Sequence, residues 1–122
     1  MSVWVWIGVG LAGGCGAVAR ALLTHAVNVK AGRAFPYGTL VVNLSGAVVL
    51  GVVAGSGLGG DALRIAGTGL IGAYTTFSTW MLETRHAWVT GRRGHAVANV
   101  ALSLAAGLAA VWLGRVVGRA AF

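Results

Sequence analysis

The sequence predicts an all-α membrane protein that forms one domain of four transmembrane helices over residues 1–122. Two features of the composition support this fold class: 57% of the residues are hydrophobic and only 9% are charged. A soluble domain typically contains roughly 25% charged residues, so this chain has too few to cover a water-soluble globule. The third feature is the arrangement of the apolar residues in four uncharged stretches, at residues 3–19, 34–60, 65–82 and 96–114.

Each stretch, extended by its flanks, matches the length of helix that crosses a bilayer core, about 17–25 residues. We therefore predict spans near residues 3–26, 36–57, 62–87 and 95–119. Pro36 suits the first turn of the second helix, where its missing N–H costs nothing. Asp61 follows a glycine-rich turn and is expected to cap the third helix. The run Arg92-Arg93-Gly94 is expected to form the turn before the fourth helix.

Pairs of glycines four residues apart suggest that these helices pack closely. Such a pair lies on one helix face and lets the backbone of a neighbouring helix approach. The pairs are Gly10/Gly14, Gly51/Gly55 and Gly114/Gly118.

The charge balance is strongly basic, with 9 Lys and Arg residues, 2 acidic residues and a net charge of +7. The basic residues stand mainly at the ends of the apolar stretches, which favours anchoring at the membrane interface over nucleic-acid binding. If the amino terminus is cytoplasmic, that side receives Arg64, Arg115 and Arg119. The other side receives Lys30, Arg33, Arg85, Arg92 and Arg93. This small asymmetry is compatible with insertion in both orientations, and hence with a homodimer of two oppositely oriented copies.

Polar residues within the apolar stretches are candidates for function because they are costly in hydrocarbon. Arg20 is either an anchor that reaches the interface or a fixed charge that attracts an anion. Asn43 either bonds to a neighbouring helix or offers an amide donor to a passing anion. Glu83 is expected to form an ion pair with Arg85 or Arg20. Asn99 and Ser103 lie four residues apart in the fourth span and can face the third.

The middle of the third span is poorly suited to face lipid. Three glycines between residues 67 and 72 precede four hydroxyl residues between residues 75 and 79. A helix break is tolerated at membrane depth only where it is buried or lines a cavity. From spacing alone, such a break and a continuous helix with bonded hydroxyls are equally compatible with the sequence. Phe77 and Trp80 share a face, as core residues or as ring edges that contact an anion.

Three motifs together resemble the bacterial fluoride channels of the Fluc (CrcB) family along nearly the whole chain. They are Gly-Gly-Cys-Gly-Ala-Val-Ala-Arg at residues 13–20, Gly-Thr-Leu-Val-Val-Asn at residues 38–43 and Gly-Ala-Tyr-Thr-Thr-Phe-Ser-Thr at residues 72–79. The resemblance implies a dual-topology homodimer with two fluoride pores along the subunit interface. It also implies that fluoride leaves the cytoplasm passively, through a multi-pass protein of the bacterial inner membrane.

The resemblance also implies roles for individual residues. A break in the third helix would hold a central structural sodium ion through the backbone carbonyls of Gly72 and Thr75. The residues expected along the fluoride pathway are Arg20, Asn43, Phe77, Ser78, Thr79, Trp80 and Ser103. Trp80 stands where the family usually has a second phenylalanine.

Two other functions compete with this interpretation. A small multidrug transporter also has four helices but needs a membrane carboxylate in the first helix, where this chain has Arg20. A membrane assembly subunit would use the polar centre of the third span for packing alone. No nucleophile–base pair or metal cluster is apparent, so we expect that the chain is not an enzyme.

Overall fold

The computed structural model describes residues 2–122 and is all-helical over that range, which confirms the predicted secondary-structure class. The elements in chain order are α1 (Val3–Ala31), α2 (Tyr37–Gly55), α3 (Gly60–Leu63), a π-helix (Arg64–Ile71), α4 (Gly72–Tyr74), α5 (Ser78–Val89) and α6 (Arg93–Ala121). The segment from α3 to α4, residues 60–74, runs without interruption and is called the third segment below.

Three helices, α1, α2 and α6, are long and apolar enough to cross a membrane. Helix α1 extends to Ala31, beyond the predicted end of the first span near residue 26. The residues of the predicted third span are divided among shorter elements, from α3 to α5. The membrane character of the chain therefore rests on the three long helices, and the predicted third span, near residues 62–87, stays a prediction.

Helices α2 and α6 meet through their backbones along a seam of four glycines. A β-carbon at Gly51 or Gly55 would overlap the carbonyl oxygen of Val111 or Arg115. From the other side of the seam, a β-carbon at Gly114 or Gly118 would overlap the carbonyl oxygen of Val48 or Val52. Two of the predicted glycine pairs thus form one close helix–helix contact.

The third predicted glycine pair does not form such a contact. Nothing lies within 4 Å of a β-carbon built at Gly10 or Gly14. Helix α1 instead approaches the third segment through Gly16, whose added β-carbon would overlap the carbonyl oxygen of Leu70. Gly69 closes the same contact from the opposite side, because its β-carbon would lie 2.9 Å from the carbonyl oxygen of Val9.

The helix ends differ in detail from the sequence-based expectation. The N-cap of the third segment is Gly59, whereas Asp61 lies within the first turn and accepts a hydrogen bond from Arg64 Nη1 at 2.7 Å. Pro36 is the N-cap of α2 and precedes its first turn. The turn before the last helix lies earlier than the expected run Arg92-Arg93-Gly94: Gly91, with φ 86°, makes the turn, and Arg93 and Gly94 already belong to α6.

Large apolar side chains cover the outside of the molecule. Trp4 is 76% exposed, Trp112 67% and Leu108 74%. In water such a surface would drive aggregation, whereas in a bilayer it meets lipid or another protein. The core of the single chain consists mainly of close helix contacts at small residues.

The seam between α2 and α6 predicts a strong effect of a single methyl group. Gly114→Ala places that group against the Val48 carbonyl, and the helices must separate to admit it. We expect a loss of about 1–3 kcal/mol in stability, measured as a lower midpoint of thermal unfolding in detergent. Gly107→Ala on the same helix is the control, since nothing lies within 4 Å of its β-carbon. Equal midpoints for the two variants would contradict the seam.

Candidate functional site

The site is built where helical structure stops between Tyr74 and Ser78. Thr75 leaves the helix with an extended backbone, φ −81° and ψ 159°. The sequence permits this because the hydroxyl groups that follow can replace lost helical hydrogen bonds. Thr76 Oγ1, for example, accepts a hydrogen bond from the Thr79 N–H at 3.3 Å.

Asn43 of α2 holds this interruption through two hydrogen bonds to one residue. Its Nδ2 donates to the carbonyl oxygen of Thr76 at 2.9 Å, and its Oδ1 accepts from the Thr76 N–H at 2.9 Å. The amide thus satisfies both backbone polar groups of a residue that lies outside any helix. A buried backbone group without a partner would cost about 1–3 kcal/mol. We call this pair of bonds the Asn43–Thr76 clamp.

The clamp changes the bonding of two backbone carbonyls. In a continuous α-helix the Thr76 N–H would donate to the Gly72 carbonyl, and the Thr79 N–H to the Thr75 carbonyl. Here the Thr76 N–H donates to Asn43, and the Thr79 N–H donates to Thr76 Oγ1 at 3.3 Å. The carbonyls of Gly72 and Thr75 are therefore released from helical hydrogen bonding.

The interruption rests on α2 through close packing. A β-carbon at Gly46 would overlap Thr75 Cγ2, so glycine is what allows Thr75 to approach α2. One residue earlier on each element, the Ser45 hydroxyl lies 2.8 Å from the Tyr74 hydroxyl and donates to the Val42 carbonyl at 3.0 Å. These contacts of Tyr74 and Thr75 fix the start of the break to a single helix.

An aromatic cleft of about 350 Å³ opens on one side of the interruption. Phe77 and Trp80 stand edge to face in it, with ring centroids 5.6 Å apart and an interplanar angle of 73°. Phe77 is 69% exposed, so its own chain leaves most of the ring uncovered. The cleft is also lined by Asn43, Gly46, Ala47, Leu50, Gly67, Ile71, Gly72, Thr75 and Thr76.

A basic pocket of about 260 Å³ lies on the other side. It is lined by Arg20, Ala21, Thr24, His25, Asn28, Arg33, Thr39, Thr76 and Thr79. No acidic residue lines it, so the Arg20 and Arg33 guanidinium groups give it a positive potential. Thr76 lines both this pocket and the aromatic cleft, and the clamp therefore stands between them.

Glu83 bonds differently from the expectation. Its carboxylate accepts a hydrogen bond from the hydroxyl of Thr39, a side chain that is only 2% exposed. The ion pair expected with Arg85 or Arg20 is not formed; between side chains of residues 2–122 the structure contains the single salt bridge Arg64–Asp61. This hydrogen bond gives the carboxylate one partner, and within residues 2–122 Arg20 forms no salt bridge.

The remaining predicted site residues divide into two groups. Ser78 and Thr79 are exposed at the start of α5, beside the interruption. Ser103 lies instead on α6, where its hydroxyl is 3.5 Å from Asn99 Oδ1. The fully buried Asn99 is the centre of this second group: its Nδ2 donates to Thr84 Oγ1 at 2.8 Å.

Sequence analysis did not single out two residues of the site, Thr76 and Thr39. Both lie inside the motifs quoted above, at residues 72–79 and 38–43. The sequence shows each of them only as a hydroxyl residue near glycine. That pattern does not predict the hydrogen bond between Thr76 and Asn43 or the one between Thr39 and Glu83.

Comparison with known proteins places this chain in a family. The family described as "CrcB-like protein, Camphor Resistance (CrcB)" matches residues 7–115. The chain belongs to this CrcB family. The resemblance found from the three motifs is thereby confirmed.

Curated CrcB relatives match over most of their own length. A protein of Mycobacterium tuberculosis named "Fluoride-specific ion channel FluC 2" is 50% identical over 115 residues, which cover 94% of this chain and 91% of the relative. "Fluoride-specific ion channel FluC 1" of Symbiobacterium thermophilum is 42% identical over 119 residues, covering 93% and 96%. "Fluoride-specific ion channel FluC" of Acidobacterium capsulatum is 42% identical over 121 residues, 94% of each. The family is one of ion channels, which confirms that the chain is not an enzyme.

The clamp predicts a local effect of removing the Asn43 amide. Asn43→Ala leaves both backbone groups of Thr76 without their partner, at a cost of about 1–3 kcal/mol for each group. We expect amide hydrogen exchange at residues 75–79 to accelerate by about tenfold or more. Asn28→Ala, on the wall of the basic pocket, is the control. Unchanged exchange at Thr76 in Asn43→Ala would show that the clamp does not hold the interruption.

Proposed function

We propose that this CrcB chain forms a fluoride-selective channel through which cytoplasmic fluoride leaves passively, down its gradient. The observation that carries the proposal is the position of the Asn43–Thr76 clamp between a basic pocket and an aromatic cleft. The names of the relatives, which specify fluoride channels, support the choice of ion.

The donor set suits a small, strongly hydrated anion. Fluoride gives up its water only where hydrogen-bond donors replace it. Arg20 raises the local anion concentration in the basic pocket, and the hydroxyls of Ser78 and Thr79 offer donors beside it. Beyond the clamp, Phe77 and Trp80 offer the electropositive edges of their rings. Ser103 belongs to the group around Asn99, whose carbonyl oxygen accepts from Trp80 Nε1 at 3.4 Å, and this link supports its hydroxyl as a further donor of the pathway.

Asn43 has two functions in this proposal. A side-chain amide carries two N–H donors and one acceptor. One N–H and the acceptor are used by Thr76. The second N–H is the donor that we assign to fluoride, while the first bond fixes its direction. Asn43 is thus a ligand of the ion as well as the residue that positions the interruption.

We further propose that the released carbonyls of Gly72 and Thr75 hold a sodium ion. The hydrogen bonds of the break support these two carbonyls as sodium ligands, because the Thr76 and Thr79 N–H groups donate elsewhere and leave both oxygens available. Carbonyl oxygens suit a hard monovalent cation. When bound, sodium supplies a fixed positive charge that favours anions nearby. One chain provides two such carbonyls, so a second copy would complete the ligand set.

That second copy is proposed to insert in the opposite orientation, giving a dual-topology homodimer with two pores in the bacterial inner membrane. The weak Lys and Arg asymmetry of the sequence supports insertion both ways. The uncovered ring of Phe77 supports a partner at the aromatic cleft, because a pore must enclose this side chain.

The experiment that tests this function is fluoride efflux from liposomes containing the purified protein, followed with a fluoride electrode. Fast fluoride release without matching chloride release supports the channel. A folded, assembled protein that releases no fluoride would overturn the proposal and favour an assembly subunit. Proton-coupled uptake of an organic cation would instead indicate a multidrug transporter, although Arg20 has the wrong charge for that mechanism.

Phe77→Ala separates conduction from packing. Because Phe77 is 69% exposed in the single chain, its loss costs little of the fold. We expect fluoride efflux to fall by about tenfold or more, the effect of removing one aligned contact of about 1.4 kcal/mol. Trp112→Ala, an aromatic residue 67% exposed on α6, is the matched control and should conduct normally. Loss of assembly with Phe77→Ala would mean that the ring serves packing.

Arg20→Gln tests the basic pocket. Removing its charge is expected to slow fluoride entry by about tenfold at low ionic strength, and less at high ionic strength because salt screens the attraction. Efflux rates measured at two salt concentrations check this. Arg119→Gln, which removes the same charge at the end of α6, is the control. A salt-independent loss would contradict an electrostatic role for Arg20.

A further inference from the structure

Two connections meet at one end of the molecule, which we call the basic end: residues 32–36 between α1 and α2, and residues 90–92 between α5 and α6. Arg92 Nη1 donates to the carbonyl oxygen of Ala34 at 2.7 Å. The rings of Phe35 and His95 also meet edge to face, with centroids 5.9 Å apart. These two contacts join the connections into one surface.

Positive charge is concentrated on this surface and its margins. The basic residues there are Lys30, Arg33, Arg85, Arg92 and Arg93. The sequence has 2 acidic residues, and within residues 2–122 neither forms a salt bridge with this group. Asp61 pairs with Arg64 at the far end of α2, a helix of 19 residues that spans roughly 28 Å. Glu83 accepts from the Thr39 hydroxyl.

Aromatic and apolar side chains border the charges. The Arg93 guanidinium lies 4.7 Å from the ring centroid of Trp88, a residue 47% exposed. Exposed Trp next to Arg or Lys is typical of the level at which a membrane protein meets lipid headgroups. On either side of residues 90–92, Val89 and Val97 are 60% and 59% exposed. Their side chains are therefore accessible to lipid acyl chains. Helix α6 also begins here without a side-chain cap, which leaves its first N–H groups available.

We propose that the basic end binds the phosphate of an anionic phospholipid, with Lys30 and Arg93 as its principal ligands. Arg92 is already committed to Ala34 and acts by holding the connections together. Arginine suits phosphate because its guanidinium can donate two parallel hydrogen bonds. A lipid is favoured over free phosphate because the charges lie next to exposed apolar side chains. This inference concerns membrane attachment and does not depend on fluoride conduction.

The test is native mass spectrometry of the detergent-purified protein mixed with equal amounts of phosphatidylglycerol and phosphatidylcholine. The wild type is expected to retain phosphatidylglycerol in excess. Lys30→Gln with Arg93→Gln should reduce that excess by about thirtyfold, since each of the two charges near a lipid surface contributes about 1 kcal/mol. Arg115→Gln with Arg119→Gln removes the same charge from the opposite end and should keep the excess. Thermal unfolding of both variants checks that each remains folded.

Three results would overturn the proposal. Equal loss in the two double variants would show that net charge alone attracts the lipid. An undiminished excess in Lys30→Gln with Arg93→Gln would place the lipid elsewhere. Inorganic phosphate that displaces the lipid fully at equal concentration would indicate a free-anion site. Fluoride efflux in the same variants is a separate measurement, so failure of this proposal and failure of the channel proposal can be distinguished.

Discussion

The structure around the site depends on one side-chain amide that pairs with both backbone groups of one residue. At membrane depth a chain can leave the helical conformation only if its backbone groups find other partners. Asn43 supplies both partners for Thr76, 33 positions away in the sequence. Without this pairing, residues 75–77 would have to satisfy their backbone groups by continuing the helix. The pocket, the cleft and the released carbonyls all follow from the helix stopping there.

The pairing is effective because Asn43 is itself held firmly. Its helix, α2, meets α6 through four glycines, so the two backbones touch. In a second close contact, α1 packs against the third segment at Gly16 and Gly69. Residues that lack side chains thus set the distances between helices, and the few polar side chains are positioned by those distances. Small residues and polar residues therefore belong to one arrangement.

The helices could be predicted well from the sequence, whereas the contacts between side chains of different helices could not. Apolar stretches and charge scarcity suffice for an all-helical membrane chain, because the bilayer admits few alternatives. Three motifs sufficed for the CrcB family. The partner of Asn43 did not follow from the sequence, since helical spacing gives a face but not the register between helices. For the same reason Glu83 was assigned an ion pair, whereas the fold brings it to Thr39. The π-helical turns at Arg64–Ile71 had no sequence signal that we recognised.

The glycine seam between α2 and α6 also has a thermodynamic consequence. Glycine has no rotamers to freeze, so bringing these helices together costs no side-chain entropy at those positions. The contact joins backbone to backbone and removes little apolar surface from water, which is the usual source of the heat-capacity change on unfolding. The stability that the seam supplies should therefore vary only gently with temperature. The seam should therefore contribute a similar free energy of stabilisation at low and at high temperature.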